Sequence, residues 1–246
     1  MASDLVDHLV KIHNREKTDF RWKNLRKLVR KHVIGTQVLD AGCGTGHTTL
    51  ELLREGYDVI AIDNSEDLIT FTKNLIEKGG FDVDVRQLDL TESVVLGENR
   101  FDTILCLDVL EHISDDRLAM KNLYRILNKD GNIIISVPAI NYLYGIRDKK
   151  IGHFRRYDRG ELIEKLKESG FEVVDVRYWN FLGVLPFLLS EKVLHKELNE
   201  GVRYSNRSSA SKILNNILNT WFEIIENNIR FPVGLSIIII CKKNNI

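Results

Sequence analysis

The sequence contains little cysteine. Three cysteines, Cys43, Cys106 and Cys241, occur in 246 residues, and no two of them form a Cys-x-x-Cys pair. An odd number of widely separated thiols argues against a disulfide framework and against a structural zinc site. This cysteine usage is typical of a protein of the reducing cytosol, so we expect a cytoplasmic location.

The sequence also lacks net charge and a long apolar run. Lys and Arg number 35, as do Asp and Glu, so the chain as a whole does not resemble a nucleic-acid-binding protein. The longest apolar stretch, "NFLGVLPFLL", is too short to cross a bilayer. The first residues, "MASDLVDHLVKIHNREK", carry charges where a secretory signal has its apolar core. We therefore expect no membrane span and no secretory signal.

Charge is nonetheless uneven along the chain. Nine Lys and Arg stand against two acids over residues 11–31, and six stand against two over residues 147–159. Each stretch could form a solvated surface, or it could contact an acidic substrate or a membrane surface; the sequence favours neither. Both interpretations stay open at this stage.

Short β-branched runs alternate with helical patterns through most of the chain. This alternation is typical of βαβ units, which form a parallel sheet covered on both faces. The closing run "GLSIIIICKK" follows a helical stretch, and it predicts a reversed strand beside "FEVVDVRYW". The sequence thus predicts an α/β fold: a doubly wound seven-stranded sheet, six strands parallel and the last antiparallel, with helices on both faces.

The same pattern divides the chain into four segments. Residues 1–35 are predicted to form an N-terminal helical cover, and residues 36–179 a Rossmann-like cofactor-binding core. Residues 180–233 are predicted to be a helical insertion, or lid, of two helices joined by "NEGVRYSNRSS". Residues 234–246 return as the last strand. Asp158 and Glu161 predict a capping box at the start of the helix before the sixth strand.

The stretch "VLDAGCGTGHTTLELL" places Gly42, Gly44 and Gly46 between a strand and a helix. Glycines there let the backbone approach a ligand closely, and the helix N-terminus faces the same ligand. His47 stands where a dinucleotide-binding fingerprint would have its third glycine. That substitution, together with the missing Tyr-x-x-x-Lys pattern, disfavours an NAD-dependent oxidoreductase.

Acidic residues follow the ends of the first four strands: Asp40, Asp63, Asp89 and Asp108. The carboxyl ends of such strands are where open α/β sheets bind ligands. Asp63 is placed to accept hydrogen bonds from ribose hydroxyls, and Asp89 from an adenine amine. Acids around a glycine loop without Lys or Arg favour a cationic ligand such as S-adenosylmethionine over a phosphate.

Five ordered motifs between Val38 and Pro138 resemble those of class I S-adenosylmethionine-dependent methyltransferases: "LDAGCGTG", "IAIDNS", "RQLDL", "FDTILCLDVLEHI" and "LNKDGNIIISVP". The resemblance implies that Gly42 and Gly44 line the methionine moiety and that Asp63 binds the ribose. It also implies that Asp89 and Leu90 bind the adenine, and that the backbone near Leu107 receives the amino group. The predicted cofactor-binding residues are Arg21, Asp40, Gly42, Cys43, Gly44, Gly46, Asp63, Asn64, Asp89, Leu90, Leu107 and Asp108.

Two histidines follow strand ends and are candidates for a general base, His112 and His153. Arg155, Arg156 and Tyr157 predict a clamp for a phosphate or carboxylate of the methyl acceptor. Glu111 beside His112 raises the possibility of a metal, but one such pair supplies too few ligands. The sequence therefore predicts no metal.

Further resemblances concern the acceptor. "LEH" is similar to small-molecule O-methyltransferases of the quinone-biosynthesis type, and "GHFRRYDRGELIEKLKESGF" resembles methyltransferases linked to cell-surface glycans. "DFRWKNLRKL" loosely resembles a segment of the same group, in which Arg21 would pair with the cofactor carboxylate. The resemblance implies methyl transfer, at oxygen, to a small-molecule or lipid- or glycan-linked acceptor.

The sequence is compatible with several other functions. One is a quinone- or phenol-type O-methyltransferase, and another is a non-catalytic module that binds S-adenosylmethionine. Nucleic acid is not an expected partner, because aromatic residues are sparse in the basic stretches. The insertion, with "FLGVLPFLL", is predicted either to make peripheral membrane contact or to pack against the sheet or a dimer partner.

Overall fold

The computed structural model describes residues 2–92, 95–196 and 209–243. The N-terminal cover consists of two helices, α1 (Ala2–Thr18) and α2 (Phe20–Arg30), where the sequence pattern indicated one continuous helical stretch. The break falls at Asp19, whose carboxylate accepts a hydrogen bond of 2.8 Å from the backbone N–H of Arg21. This is the cap that a helix start requires, so α2 begins afresh at Phe20.

One seven-stranded sheet forms the centre of the protein. Its strands in chain order are β1 (Gln37–Ala41), β2 (Asp58–Asp63), β3 (Val85–Gln87), β4 (Phe101–Leu107), β5 (Leu127–Pro138), β6 (Phe171–Trp179) and β7 (Ser236–Lys243). In space they lie in the order β3-β2-β1-β4-β5-β7-β6. β7 is antiparallel to both β5 and β6, and the other strands run parallel. The predicted sheet is confirmed.

Helices cover both faces of this sheet. They are α3 (His47–Arg54), α4 (Glu66–Lys78), α5 (Asp116–Ile126), α6 (Ile146–Lys150), α7 (Arg159–Glu168), α8 (Val184–Leu188) and α9 (Ser209–Trp221). π-helical turns extend α8 over Leu189–Val193 and α9 over Phe222–Glu226, and short 3-10 turns occupy Leu110–His112 and Asn141–Leu143. One core cluster includes residues of α5 and α7, and the other includes residues of α2, α3 and α4.

β7 shows why an isoleucine run becomes an interior strand. Ile237 and Ile239 belong to one core cluster, while Ile238 and Ile240 belong to the other. Alternate side chains of a strand point to opposite faces of the sheet, so a strand buried on both faces needs an uninterrupted apolar run. The sequence "IIII" meets that need between two partner strands.

The insertion contains α8 and α9, and it leaves several apolar side chains exposed. Examples are Leu185, Val193, Ile213 and Ile217, each about 60% exposed. The insertion is joined to the core by Trp179, whose indole N–H donates to the side chain of Asn227 at 3.0 Å. The predicted link at residues 199–208 lies outside the described residues. Among the residues that are described, none belongs to a helix long and apolar enough to span a membrane.

The predicted capping box at α7 is wrong. Asp158 does precede the helix, but its carboxylate accepts from the backbone N–H of Asn141 at 3.1 Å. Glu161 accepts from the Asn141 side chain and forms an ion pair with Lys165. Both acids therefore hold the segment after β5 against α7 instead of capping the helix.

Candidate active site

A cavity of about 580 Å³ opens at the carboxyl ends of β1, β2 and β4. All the predicted cofactor-binding residues except Arg21 and Gly46 line this first cavity. They converge because neighbouring parallel strands end at the same edge of the sheet, where the loops that follow them meet.

The glycine loop forms the floor of the first cavity. Its three glycines are required for different structural reasons. Gly42 has φ +85°, and a Cβ there would lie 2.2 Å from Val109 Cγ2. Gly44 has φ +54°, and a Cβ there would meet no atom of the described residues within 4 Å, so it would project into open space. Gly46, at φ +75°, instead begins α3 against Thr72. Gly42 and Gly46 thus shape the turn, while Gly44 leaves room for a ligand.

Asp63 fastens this loop to the end of β2. Its carboxylate accepts hydrogen bonds of 3.0 Å from the backbone N–H groups of Gly44 and Ser65. Asp89 is fixed in a similar way, since it accepts from both the backbone N–H and the hydroxyl of Thr91 at 2.8 Å. Both carboxylates are therefore held in place at the cavity wall before any ligand binds.

Deeper acids make the first cavity electronegative. Asp40 is buried and accepts from the Thr49 hydroxyl at 2.6 Å, and burial raises the pKa of Asp40 to about 6. Asp108 accepts from the Ser136 hydroxyl at 2.7 Å. Arg26 also lines the cavity, but its guanidinium is paired with Glu51 at 2.9 Å. Such a lining suits a cationic ligand carrying a sulfonium and an ammonium, and it would repel a pyrophosphate.

The N-terminal helices contribute walls that the sequence analysis missed. Glu16 of α1 and Trp22 of α2 line the first cavity. The imidazoles of His13 and His47 stack at 3.9 Å between ring centroids, and His47 Nε2 lies 2.9 Å from the His13 carbonyl oxygen. The amphipathic pattern of the segment gave no signal for these contacts, because they depend on how α1 docks against the glycine loop.

A second cavity of about 300 Å³ adjoins the first. Trp22, Asp108 and His112 line both cavities. Arg21 lies on the wall of the second cavity, and its guanidinium forms an ion pair of 2.9 Å with Asp19. The pairing of Arg21 with a cofactor carboxylate remains a prediction.

Both candidate bases lie at the junction of the cavities. The rings of His112 and His153 meet edge to face, 4.6 Å apart. Burial, with His153 nearby, lowers the pKa of His112. His153 Nδ1 lies 2.9 Å from Oδ1 of Asp148, a buried carboxylate that the sequence analysis did not single out. The hydrogen bond orients the His153 ring and points Nε2 toward Glu111 Oε1, 3.8 Å away.

Glu111 adds a third titratable group at this junction. It is 1% exposed, and burial, with Asp108 nearby, raises its pKa well above the ordinary value. Candidate ligand atoms of Glu111, His112 and His153 lie within 4.8 Å of one another, an arrangement that can hold a metal ion. The sequence placed only Glu111 and His112 next to each other, and the fold brings His153 beside them.

Two residues of the predicted anion clamp are engaged elsewhere. Tyr157 and Arg155 both contact Asp116 instead of lining either cavity. Tyr157 is fully buried, and its hydroxyl hydrogen bonds to Asp116 at 2.8 Å. Arg155 forms an ion pair with the same Asp116 carboxylate at 2.9 Å. Both side chains brace the loop before α7 against α5, because Asp116 is a buried acid that needs partners. Arg156 alone of the three lines the second cavity.

Comparison with known proteins gives a family. Residues 32–223 match the family described as "Methyltransferase domain". A ubiquinone biosynthesis O-methyltransferase of Coxiella burnetii is 26% identical over 155 residues, covering 58% of this chain and 66% of that protein. The enzyme of the same name from Azorhizobium caulinodans is 34% identical over 102 residues, covering 42% and 40%. The chain thus spans just under two thirds of the first relative's length.

Solved structures agree in fold. A putative methyltransferase from Bacillus halodurans has a TM-score of 0.59 at 18% identity, covering 89% of this chain and 98% of that one. An S-adenosylmethionine-dependent methyltransferase from Mesorhizobium loti has a TM-score of 0.61 at 14% identity, covering 91% and 97%.

The sheet has the fold of solved methyltransferases such as the Mesorhizobium loti protein, and the acid-lined cavity lies at the glycine loop of that fold. The chain belongs to the methyltransferase domain family, and S-adenosylmethionine is the cofactor that this family and the cavity lining imply.

Proposed function

We propose that this protein transfers the methyl group of S-adenosylmethionine to an oxygen of a small-molecule or lipid- or glycan-linked acceptor. The observation that carries the proposal is that two cavities meet at His112, one suited to the cofactor and one large enough for part of an acceptor. When bound, S-adenosylmethionine supplies a methyl group already activated on sulfur. Methyl transfer then needs mainly positioning and, for a hydroxyl acceptor, removal of a proton.

The residues of the first cavity would hold the cofactor. Gly44 leaves room for it beside the loop, Asp63 accepts from its ribose, and Asp89 with Leu90 faces its adenine. Asp40 and Asp108 supply negative charge close to its cationic groups. Asn64, Cys43 and Leu107 complete the walls of the same cavity.

His112 and His153 are the candidates for the base. Because burial lowers the pKa of His112, its imidazole is neutral near pH 7 and able to accept a proton from an acceptor hydroxyl. Asp148 fixes the ring of His153, so that its Nε2 faces the junction. The similarity to ubiquinone biosynthesis O-methyltransferases supports oxygen as the methylated atom, and it favours a quinone- or phenol-type acceptor as the alternative.

Methyl transfer from labelled S-adenosylmethionine to a panel of phenols and hydroxylated lipids tests this proposal. Replacing the catalytic histidine, by His112→Gln or His153→Gln, should lower the rate by about 100-fold, the usual contribution of a general base. Affinity for S-adenosylhomocysteine should stay unchanged. His32→Gln is the matched control, since His32 lies at the opposite end of the sheet near Asp175. Cofactor binding with no product from any acceptor would support a non-catalytic binding module instead.

We also propose that the insertion makes peripheral membrane contact and that the protein acts in the cytoplasm. Exposed Leu185 and Ile217 lie in the two described helices of the insertion, together with Lys192 and Lys212. Apolar side chains with nearby cations suit an anionic lipid surface. All three cysteines fall within the described ranges, where their thiols are unpaired and buried, in keeping with a reducing compartment.

Co-sedimentation with phosphatidylglycerol vesicles tests the membrane contact. Recovery with vesicles should fall as salt rises, and Leu185→Ser with Ile217→Ser should reduce it. Val174→Ser, which removes an equally exposed side chain from β6, should not. If no protein sedimented with the vesicles at low salt, the proposal would be contradicted. If the protein were a dimer that the same double substitution abolished, the exposed surface would instead bind a second copy of the chain.

A further inference from the structure

Three guanidinium groups reach the second cavity from three separate segments. Arg21 comes from α2, Arg147 from α6 and Arg156 from the loop before α7. Basic residues on one surface helix commonly serve only solubility. Convergence from distant parts of the chain onto one concave surface is instead typical of a binding site.

Arg156 is the most desolvated of the three. It is 4% exposed, and its Nε donates to Asp148 Oδ2 at 2.8 Å. One terminal nitrogen donates to the Ala139 carbonyl at 3.2 Å, and the guanidinium lies 4.3 Å from the centre of the Phe187 ring. A guanidinium has five N–H donors in a planar fork, so this arrangement retains donors for a further acceptor.

Arg147 is held at the cavity by the insertion. Glu191, in the π-helical turn after α8, accepts from the backbone N–H of Ile146 at 2.9 Å. Lys192 donates to the Tyr144 carbonyl at 2.9 Å. These contacts fix the start of α6, so tertiary structure places the backbone of Arg147 at the second cavity.

Two of these arginines have acidic partners, since Asp148 pairs with Arg156 and Asp19 pairs with Arg21. The cavity therefore offers hydrogen-bond donors more than net positive charge. Burial alone would raise the pKa of Asp148, but hydrogen bonds from His153 and Arg156 lower it to about 2. That carboxylate is therefore occupied by its own partners, which include the backbone N–H of Gly145 at 3.0 Å. Glu111 is 1% exposed, and its Oε1 lies 3.8 Å from Nε2 of His153. Asp108, the remaining acid, faces the first cavity as well.

An apolar wall completes the second cavity. Phe187 and Leu235 belong to one small buried cluster, and Pro138 and Trp22 also line the cavity. His112 lines both cavities, and His153, which lines the second, meets the His112 ring edge to face. A ligand here would meet cations, an apolar surface and a base within one enclosure.

We propose that the second cavity binds a methyl acceptor carrying an anionic group, a carboxylate or a phosphate, together with a hydroxyl on an aromatic or aliphatic body. The anionic group contacts Arg21, Arg147 and Arg156, the body packs on Phe187 and Leu235, and the hydroxyl faces His112 and His153. This inference rests on the proposed function and adds the charge of the acceptor. It separates such acceptors from neutral phenols.

Calorimetric titration of the full chain saturated with S-adenosylhomocysteine tests the proposal. The probes are 3-hydroxybenzoate, its neutral analogue 3-hydroxybenzamide, and 3-hydroxyphenyl phosphate. The benzoate or the phosphate should bind about 10- to 100-fold more tightly than the amide, the scale of charge-assisted hydrogen bonds. The anion that binds more tightly identifies the preferred group. Equal affinity for all three, tighter binding of the amide, or no binding of any probe would overturn the proposal.

Arg147→Gln should reduce the preference for the anion by about tenfold. Lys149→Gln is its matched control, because it removes one cation from the same helix at an exposed position. If both substitutions had the same effect, the preference for the anion would arise from long-range charge. That result would contradict a specific anion site at Arg147. Titration with S-adenosylhomocysteine alone separates the two hypotheses. Binding of S-adenosylhomocysteine without anion preference leaves the proposed function and removes this inference. Anion binding without binding of S-adenosylhomocysteine leaves an anion site but removes the proposed function, and with it the role of the anion as a methyl acceptor.

Discussion

Gly44 and Gly56 share a left-handed backbone, at φ +54° and +87°, in different surroundings. At either position a Cβ would find open space within 4 Å of the described atoms. Gly44, however, lines the first cavity, whereas Gly56 follows α3 at the opposite edge of the sheet. The pair therefore separates the cost of backbone strain from the cost of blocking a ligand.

We expect Gly44→Ala and Gly56→Ala each to lower the free energy of unfolding by about 1–2 kcal/mol, the cost of a left-handed conformation for alanine. Only Gly44→Ala should weaken binding of S-adenosylhomocysteine, because its methyl group enters the cavity. Urea unfolding and calorimetry measure the two effects. An equal loss of affinity in both variants would mean that Gly44 serves the turn alone.

Asp148 governs the orientation of His153. Asp148→Asn keeps the side-chain shape but replaces one acceptor oxygen with an NH2 donor. The side chain can then no longer accept from both His153 and Arg156, and the negative charge beside the His153 ring is lost. If His153 is the base, we expect kcat to fall by about 100-fold and the acid limb of the pH–rate profile to move, with unchanged affinity for S-adenosylhomocysteine. Asp175→Asn, which disturbs an ion pair with Arg230 outside both cavities, is the control. An unchanged pH profile would limit Asp148 to a structural role.

At the residue scale, most of the cofactor site could be predicted from the sequence. Glycines and acids directly after strands are local features, and parallel strands bring them together wherever the fold forms. Glu16 and Arg147 could not be predicted, because the helices α1 and α6 had to dock before these residues reached a cavity. The prediction for Tyr157 was wrong for a related reason: its hydroxyl donates a hydrogen bond to the buried carboxylate of Asp116.

At the scale of elements, α1 is held to the glycine loop by two neutral imidazoles. Burial lowers the pKa of His47 to about 4 and also lowers that of His13. Released from the loop, each imidazole would return to about 6.5. At these two imidazoles the docked state binds fewer protons, so their contribution to docking is complete above about pH 6.5 and is lost as pH falls toward 4. Lys17 nearby acts in the same direction on both groups. Glu16 of α1, whose pKa is raised by burial, acts in the opposite direction.

We expect hydrogen exchange of the α1 amides, corrected for intrinsic rates, to accelerate between pH 7 and pH 5. Amides of β7 serve as the internal control, since that strand is buried on both faces. His47→Phe keeps an aromatic ring in the stack but cannot titrate, so its response to acid should be smaller. A response of α1 that is the same in wild type and variant would contradict this role for the histidine pair.

Among the elements, the strands were the easiest to predict and the connections the hardest. The run "IIII" predicts an interior strand because no other element buries both faces so fully. The break between α1 and α2 depends on a single cap at Asp19, and α6 contains only five residues. Such short features leave no periodic pattern in the sequence, so only tertiary structure reveals them.

At the scale of the whole molecule, the strand order brings the two cavities together. β4 lies between β1 and β5, so the loop after β4 carries Asp108 and His112 to the boundary between cofactor and acceptor. β7, inserted between β5 and β6, places Leu235 and Ser236 on the second cavity. The insertion before β7 therefore reaches the second cavity, to which we assign the acceptor in our proposal.

The most direct test of the account is calorimetric binding of S-adenosylmethionine and S-adenosylhomocysteine to the wild type, Asp63→Ala and Asp58→Ala. Asp58 begins the same strand that Asp63 ends, so it is the matched control. We predict low-micromolar binding by wild type and Asp58→Ala, and a loss of about 1–3 kcal/mol in Asp63→Ala from missing charge-assisted hydrogen bonds. Absence of binding by the wild type, or equal binding by all three proteins, would contradict the assignment of the first cavity to this cofactor.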